Sequence, residues 1–250
     1  MNWLQLAPYA YDIDGDWREP PGQLAGAILS GDKTRRYLLW RVWSLDRPRL
    51  LFLMLNPSTA DGRHDDPTVH RCRNFAAREN CGGFEIVNLI SIRETNPDLL
   101  NGDQQEPEEA DEIIVSAIAR CRRIVFAWGS LQGLSRAARQ FAKTRAVQLV
   151  WRVTLANRRP ECFNYCANGM PVHPLYQRAD QPLIPWIADR GTDIGQMLAA
   201  STGDEVTHRC SPDALCVRCG GHGSVQSTDV VCAPGDGDGE TDCPDCDGDI

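Results

Sequence analysis

Hydrophobic positions in this chain gather into short unbroken runs separated by polar, turn-rich stretches. Tyr37 to Trp43, Leu50 to Leu55, Phe84 to Ile90, Ile124 to Trp128 and Val147 to Val153 are such runs. Their length and continuity predict strands buried on both faces. Between them the pattern turns helical. Asp66 followed by Pro67 predicts an N-cap and first helical position, with the helix running to about Asn80 and stopping before Gly82-Gly83. Glu106-Pro107-Glu108-Glu109 opens a second helix. Its stripe is Ile113, Ile114, Ala117, Ile118 and Cys121, and Arg120, Arg122 and Arg123 close it. A third is expected over Ser135 to Lys143. Strands alternating with helices predict an α/β protein, a three-layer α/β/α arrangement around a mostly parallel central sheet.

Outside these elements the character of the chain changes. Residues 1–34 hold turn signals and read as an N-terminal extension. Residues 35–190 form the α/β domain and residues 191–206 a linker with a short helical stretch near Ile194 to Ala199. Residues 207–250 are rich in cysteine and predict a small C-terminal zinc-binding module. The net charge is −8, yet Ser201 to Ile250 alone carries 11 acidic and 2 basic residues, leaving the body at +1. The low pI therefore does not exclude a nucleic-acid partner, because basic pairs such as Arg35-Arg36 lie in a neutral body. No apolar run nears the ~20 residues that span a bilayer. Met1 to Gly15 lacks the basic and apolar regions of a secretory signal. The expectation is a cytoplasmic protein with no membrane partner. Eleven cysteines, an odd number without a signal, argue against a disulfide framework.

Ligands of open parallel sheets bind beyond the carboxyl ends of the strands. The loops predicted there carry Asn56-Pro57, Asp61, Asp65 and Asp66 after the Leu50 run. Asn88, Arg93 and Thr95 lie in and after the Phe84 run, Gly129 after the Ile124 run, and His173 and Tyr176 in a later proline-rich loop. An asparagine inside an apolar strand needs partners for its amide, which makes Asn88 a candidate. His173 sits in the stiff sequence Pro171-Val172-His173-Pro174, suited either to structure or to holding a rigid catalytic group.

The segments LLFLMLNPSTADGRHDDPT, GGFEIVNLISIRETNP, IVFAWGS and PVHPLY resemble, in order, the motifs of an uncharacterised bacterial and phage family. That resemblance spans roughly Tyr37 to Pro185. The order is also similar, at greater distance, to the uracil-DNA glycosylase superfamily. The resemblance implies that Asn56 positions water, Asn88 reads a pyrimidine edge and His173 stabilises a departing base. Two departures stand out: no glycine flanks the Asn56-Pro57 motif, and Leu175 follows His173-Pro174 where that superfamily has serine. The candidate catalytic set is Asn56, Asp61, Asp65 and His173, and the candidate substrate-binding set is Asn88, Arg93, Thr95 and Tyr176.

In the tail, Cys216-Val217-Arg218-Cys219 and Cys243-Pro244-Asp245-Cys246 are paired knuckles at zinc-ribbon spacing. They also resemble the zinc modules of DnaJ-class chaperones. Cys216, Cys219, Cys243 and Cys246 are the expected ligands of one structural zinc, with Cys210, Cys232, His208 and His222 as further candidates. The functional expectation is processing of a nucleic-acid base or nucleotide by hydrolysis of an N-glycosidic bond or related base chemistry. The alternatives are a non-catalytic nucleic-acid or nucleotide-binding module and a phage nucleotide-modification enzyme.

Overall fold

The apolar runs assemble into one seven-stranded sheet. A computed structural model describes residues 24–96, 100, 105–188 and 193–201. The strands are β1 (Leu24–Leu29), β2 (Arg36–Val42), β3 (Arg49–Met54), β4 (Gly83–Asn88), β5 (Arg123–Phe126), β6 (Glu161–Cys162) and β7 (Ile184–Pro185). Helices α1 (Pro67–Arg78), α2 (Glu108–Arg120), α3 (Arg136–Leu155) and α4 (Asp193–Ser201) connect or follow them, with a 3₁₀ turn at Pro174–Tyr176. Contacts divide the chain into two units, Met1–Met197 and Leu198–Ile250. The sheet belongs to the first. The cysteine-rich segment and its zinc assignment lie outside the described residues.

Strand order is β1-β2-β4-β3-β5-β6-β7. The central pairings β4–β3, β3–β5 and β5–β6 are parallel, and β1–β2, β2–β4 and β6–β7 at the margins are antiparallel. The sheet is therefore mixed, with a parallel centre. β1 falls in the stretch read as a turn-rich extension. It pairs along its whole length with β2, and its small-residue sequence, Leu-Ala-Gly-Ala-Ile-Leu, gave no contrast of polar and apolar positions.

The two sheet faces are covered by different helices. Phe52, Phe84 and Ile86 share a core with Val69, Cys72, Phe75 and Ala76 of α1. Glu85, one residue along β4 and so on the opposite face, meets Arg120 of α2. α1 starts as its sequence dictates. The Asp66 carboxylate accepts from the Val69 amide at 2.8 Å, and Pro67 occupies the first turn. It ends at Arg78, and Asn80 takes a left-handed φ of 57°. Gly82 and Gly83 then bring the chain against β2. A Cβ on Gly82 would lie 2.2 Å from the Ser44 carbonyl, and one on Gly83 2.6 Å from that of Arg41.

One predicted strand is overturned. Val147 to Val153 is the second half of α3, which runs unbroken from Arg136 to Leu155. The buried residues Ala138, Ala142, Ala146, Leu149, Val150 and Val153 recur every three or four positions, the helical period. The β-branched run imitated a strand, but no glycine or proline separates it from the preceding helix.

Candidate functional site at the carboxyl ends of the parallel strands

β3, β4 and β5 end side by side, and each is followed by a loop that carries predicted site residues. β3 leads into Asn56. Its side-chain amide donates to the carbonyls of Pro57 (3.1 Å) and Glu94 (2.7 Å). It thereby ties the loop after β3 to the loop after β4. Asn88 is the last residue of β4 and pairs with Met54. It is 4% exposed, and neither its Nδ2 nor its Oδ1 has a hydrogen-bond partner. A buried amide left without partners costs about 1–3 kcal/mol per group, so this orphaned pair is the strongest sign of a ligand among the described residues. By strand alternation Asn88 lies on the α1 side of the sheet, with Phe84 and Ile86.

β5 ends at Phe126, and Gly129 follows with φ 80°. That left-handed conformation, not crowding, is what suits glycine here. A Cβ there would lie 3.7 Å from the Cβ of His173. The Gly129 amide donates to the Pro171 carbonyl at 2.9 Å, fastening the histidine loop to the strand end. His173 caps the 3₁₀ turn, its Nδ1 accepting from the Leu175 amide at 3.3 Å. That bond assigns the ring proton to Nε2. Burial lowers the His173 pKa to about 4 against an opposing pull from the Asp66 carboxylate, so the ring is a neutral Nε2–H donor at neutral pH. Tyr176 stands 5.8 Å from the His173 ring, centroid to centroid, and is 78% exposed.

The predicted aspartates are otherwise engaged. Burial works against the Asp61 charge, but the amides of Arg63 and His64, at 2.8 Å each, outweigh it and hold the carboxyl below its usual range. Asp65 is gripped by Arg41 at 2.6 Å and Arg73 at 3.3 Å. Asp66 is the α1 cap. All three shape the loop and the start of α1.

Arg93 and Thr95 line an open hollow of about 370 Å³ together with Lys33, Thr34, Ser58, Thr59, Ile92 and Glu94. Arg93 is braced by two main-chain carbonyls, Thr59 at 3.1 Å and Lys33 at 3.3 Å. The site thus has two parts. Arg93 and Thr95 share the hollow, and Asn56 adjoins it through Glu94. His173 and Tyr176 lie beside Gly129 and α1. Sequence reasoning missed Arg36, read there only as half of a basic pair. It is 2% exposed and donates to the Ala60 carbonyl at 2.8 Å, while its Nε is unpartnered. Burial lowers its pKa to about 10, opposed by Asp66. The available signal was its position opening an apolar strand.

Among the described residues, no group of three or more histidine, cysteine or acidic side chains could hold a metal ion, and no helix is long and apolar enough to cross a membrane. A family model described as protein of unknown function (DUF1643) matches residues 36–175. The chain belongs to this family. The matched span runs from the first residue of β2 to the middle of the 3₁₀ turn, so it holds Asn56, Asn88, Arg93 and His173 and stops before Tyr176. No curated protein and no solved structure matches the chain.

Proposed function

We infer that the carboxyl edge of this DUF1643 domain binds a nucleobase and processes its N-glycosidic bond. The orphaned amide of Asn88 carries the reading. A buried side chain that offers one donor and one acceptor, both unmet, complements the paired donor and acceptor of a pyrimidine edge. The likeness of its motifs to the uracil-DNA glycosylase superfamily points the same way, and those motifs stand at the ends of neighbouring strands. In this scheme cleavage leaves negative charge on the departing base, and His173 donates to it from Nε2 as a neutral group. Asn56 spends its amide hydrogens on two carbonyls, which leaves Oδ1 to orient a water molecule. Asp61 and Asp65 hold the loop beside it through the Arg63 and His64 amides and through Arg41 and Arg73.

The test measures release of free base, and binding, over a panel of nucleosides and single- and double-stranded oligonucleotides. His173→Ala should lower any release about 100-fold or more while keeping the thermal melt of the parent. Asn88→Asp replaces the donor with an acceptor and should weaken pyrimidine binding most. Parent-like behaviour of both folded variants would reject the site. Binding that survives without any base release selects the non-catalytic alternative.

For the tail, Cys216, Cys219, Cys243 and Cys246 supply the donor set of one tetrahedral zinc. Bound there, zinc would hold together a segment too small for an apolar core. Elemental analysis of protein purified without added metal should give about one zinc per chain. Retention of that zinc after Cys216→Ser with Cys243→Ser would reject this ligand set.

A further inference from the structure

Arginines in this fold divide by partner. Three at the amino ends of the parallel strands face carboxylates: Arg49 and Arg120 meet Glu85, and Arg123 meets Glu79 and Glu161. Arg93 differs. It donates to the carbonyls of Lys33 and Thr59 and, among the described residues, pairs with no carboxylate. Carbonyls fix a guanidinium without neutralising it, so Arg93 presents a positioned positive charge. It does so on the wall of the hollow, which three separate segments form. The β1–β2 hairpin brings Lys33 and Thr34, the loop after β3 brings Ser58 and Thr59, and the loop after β4 brings Ile92 to Thr95.

The lining is a fixed guanidinium, a second cation and four hydroxyls. Its one carboxylate, Glu94, is turned toward its own loop, where Oε1 accepts from the Asn96 amide at 2.9 Å and the Thr95 hydroxyl at 3.5 Å. The Thr34 hydroxyl donates to Asp32 at 2.8 Å and the Thr95 hydroxyl to Glu94, so the hydroxyls of Ser58 and Thr59 and the Arg93 guanidinium are the donors that match the acceptor oxygens of a phosphate. At about 370 Å³ the hollow falls in the range of small-ligand sites and holds more than a lone phosphate. It begins two residues beyond Asn56 and four beyond Asn88, and Asn56 is bonded to its Glu94 carbonyl.

We propose that this hollow binds the phosphate of the nucleotide whose base Asn88 reads. The proposal rests on the base-binding reading for the identity of the ligand, and on the hollow itself for the phosphate. The site accepts a phosphate monoester or diester, and the experiment separates the two.

The full-length protein is titrated with inorganic phosphate, thymidine, thymidine 5′-monophosphate and a short single-stranded oligothymidylate, followed by amide chemical shifts and calorimetry. Phosphate should shift the amides of Ser58, Thr59 and Arg93 to Thr95. Thymidine monophosphate should bind roughly 10-fold or more tightly than thymidine, a margin that charge-assisted hydrogen bonds supply. Arg93→Ala should erase that margin and keep thymidine affinity. Ser58→Asp, which adds a negative charge to the hollow and removes no brace, should do the same and covers the case in which Arg93→Ala disturbs the loop. An Arg93-dependent margin for the oligonucleotide equal to or above that of the monophosphate assigns a diester, and a margin for the monophosphate alone assigns a monoester. No phosphate-induced shift, or equal margins in parent and both variants, overturns the proposal while leaving the base site standing. Phosphate binding with no thymidine binding does the reverse.

Discussion

The two ends of the parallel strands handle polar groups in opposite ways. At the amino ends the charges around Glu85 and Arg123 are closed off against one another. Glu85 is wholly buried, with Arg49 at 2.9 Å on one carboxylate oxygen and Arg120 at 2.8 Å on the other. Arg123 spans Glu79 and Glu161 at 3.0 and 2.8 Å. At the carboxyl ends the aspartates are engaged, but three other groups are positioned without a full set of partners. Asn88 has neither partner, His173 has one nitrogen committed, and Arg93 rests on carbonyls. Both ends share the same strands and the same apolar layers, so packing does not account for the contrast. Closed networks hold a fold together, whereas unmet groups in a rigid frame are what a ligand completes.

If that contrast is right, damage at the amino end should cost stability and little else. Glu85→Ala leaves two arginines facing an empty space and should destabilise the domain by about 3–5 kcal/mol, read by chemical denaturation. The surviving folded fraction should keep its ligand affinity. A matching loss of affinity would show that the two ends are not separable.

The next effect has the opposite sign. Asn88→Leu removes two orphaned polar atoms at similar volume and should stabilise the free protein by about 1–3 kcal/mol, while abolishing base binding. Destabilisation instead would show that the amide is satisfied in solution and serves the fold.

His173 gives the third effect, a loss that vanishes at neutral pH and shows only in acid. Its folded pKa is depressed by burial to about 4, below the ordinary value of 6.5. The unfolded chain therefore takes up the proton first. The neutral ring's contribution is complete above pH 6.5 and is lost as pH falls toward 4, by on the order of 3 kcal/mol. Melting curves of the parent and His173→Asn across that window should converge toward pH 4. Parallel curves would mean that the ring is not held neutral by its surroundings.

Much of this arrangement was legible in the sequence, because the signals were local. Asp66-Pro67 announced the start of α1, the apolar runs announced β2 to β5, and an asparagine in an apolar strand marked Asn88. The misses have a common physical origin. Val147 to Val153 was read by composition, when the side chains that bury its helical face come from elsewhere in the fold. β1 lacks polar contrast because it lies against β2 along its whole length. Asp61 and Asp65 were candidates by type and position, but their partners, apart from the neighbouring loop, are arginines on β2 and α1 that only the fold brings near. Arg36 looked exposed because its burial depends on how the loop around Ala60 returns over it. Type and position can be read along a chain, but whether a polar group is already satisfied is a property of the folded molecule.

The central claim is that Asn88 awaits a base, and its side-chain amide resonances test this most directly. The account predicts that a pyrimidine nucleotide added to the protein moves the Asn88 side-chain NH₂ signals downfield and saturably, and that Asn88→Leu no longer binds that nucleotide. If no nucleotide or oligonucleotide in the panel moves those signals, or if Asn88→Leu binds as the parent does, the carboxyl edge is not a base-binding site.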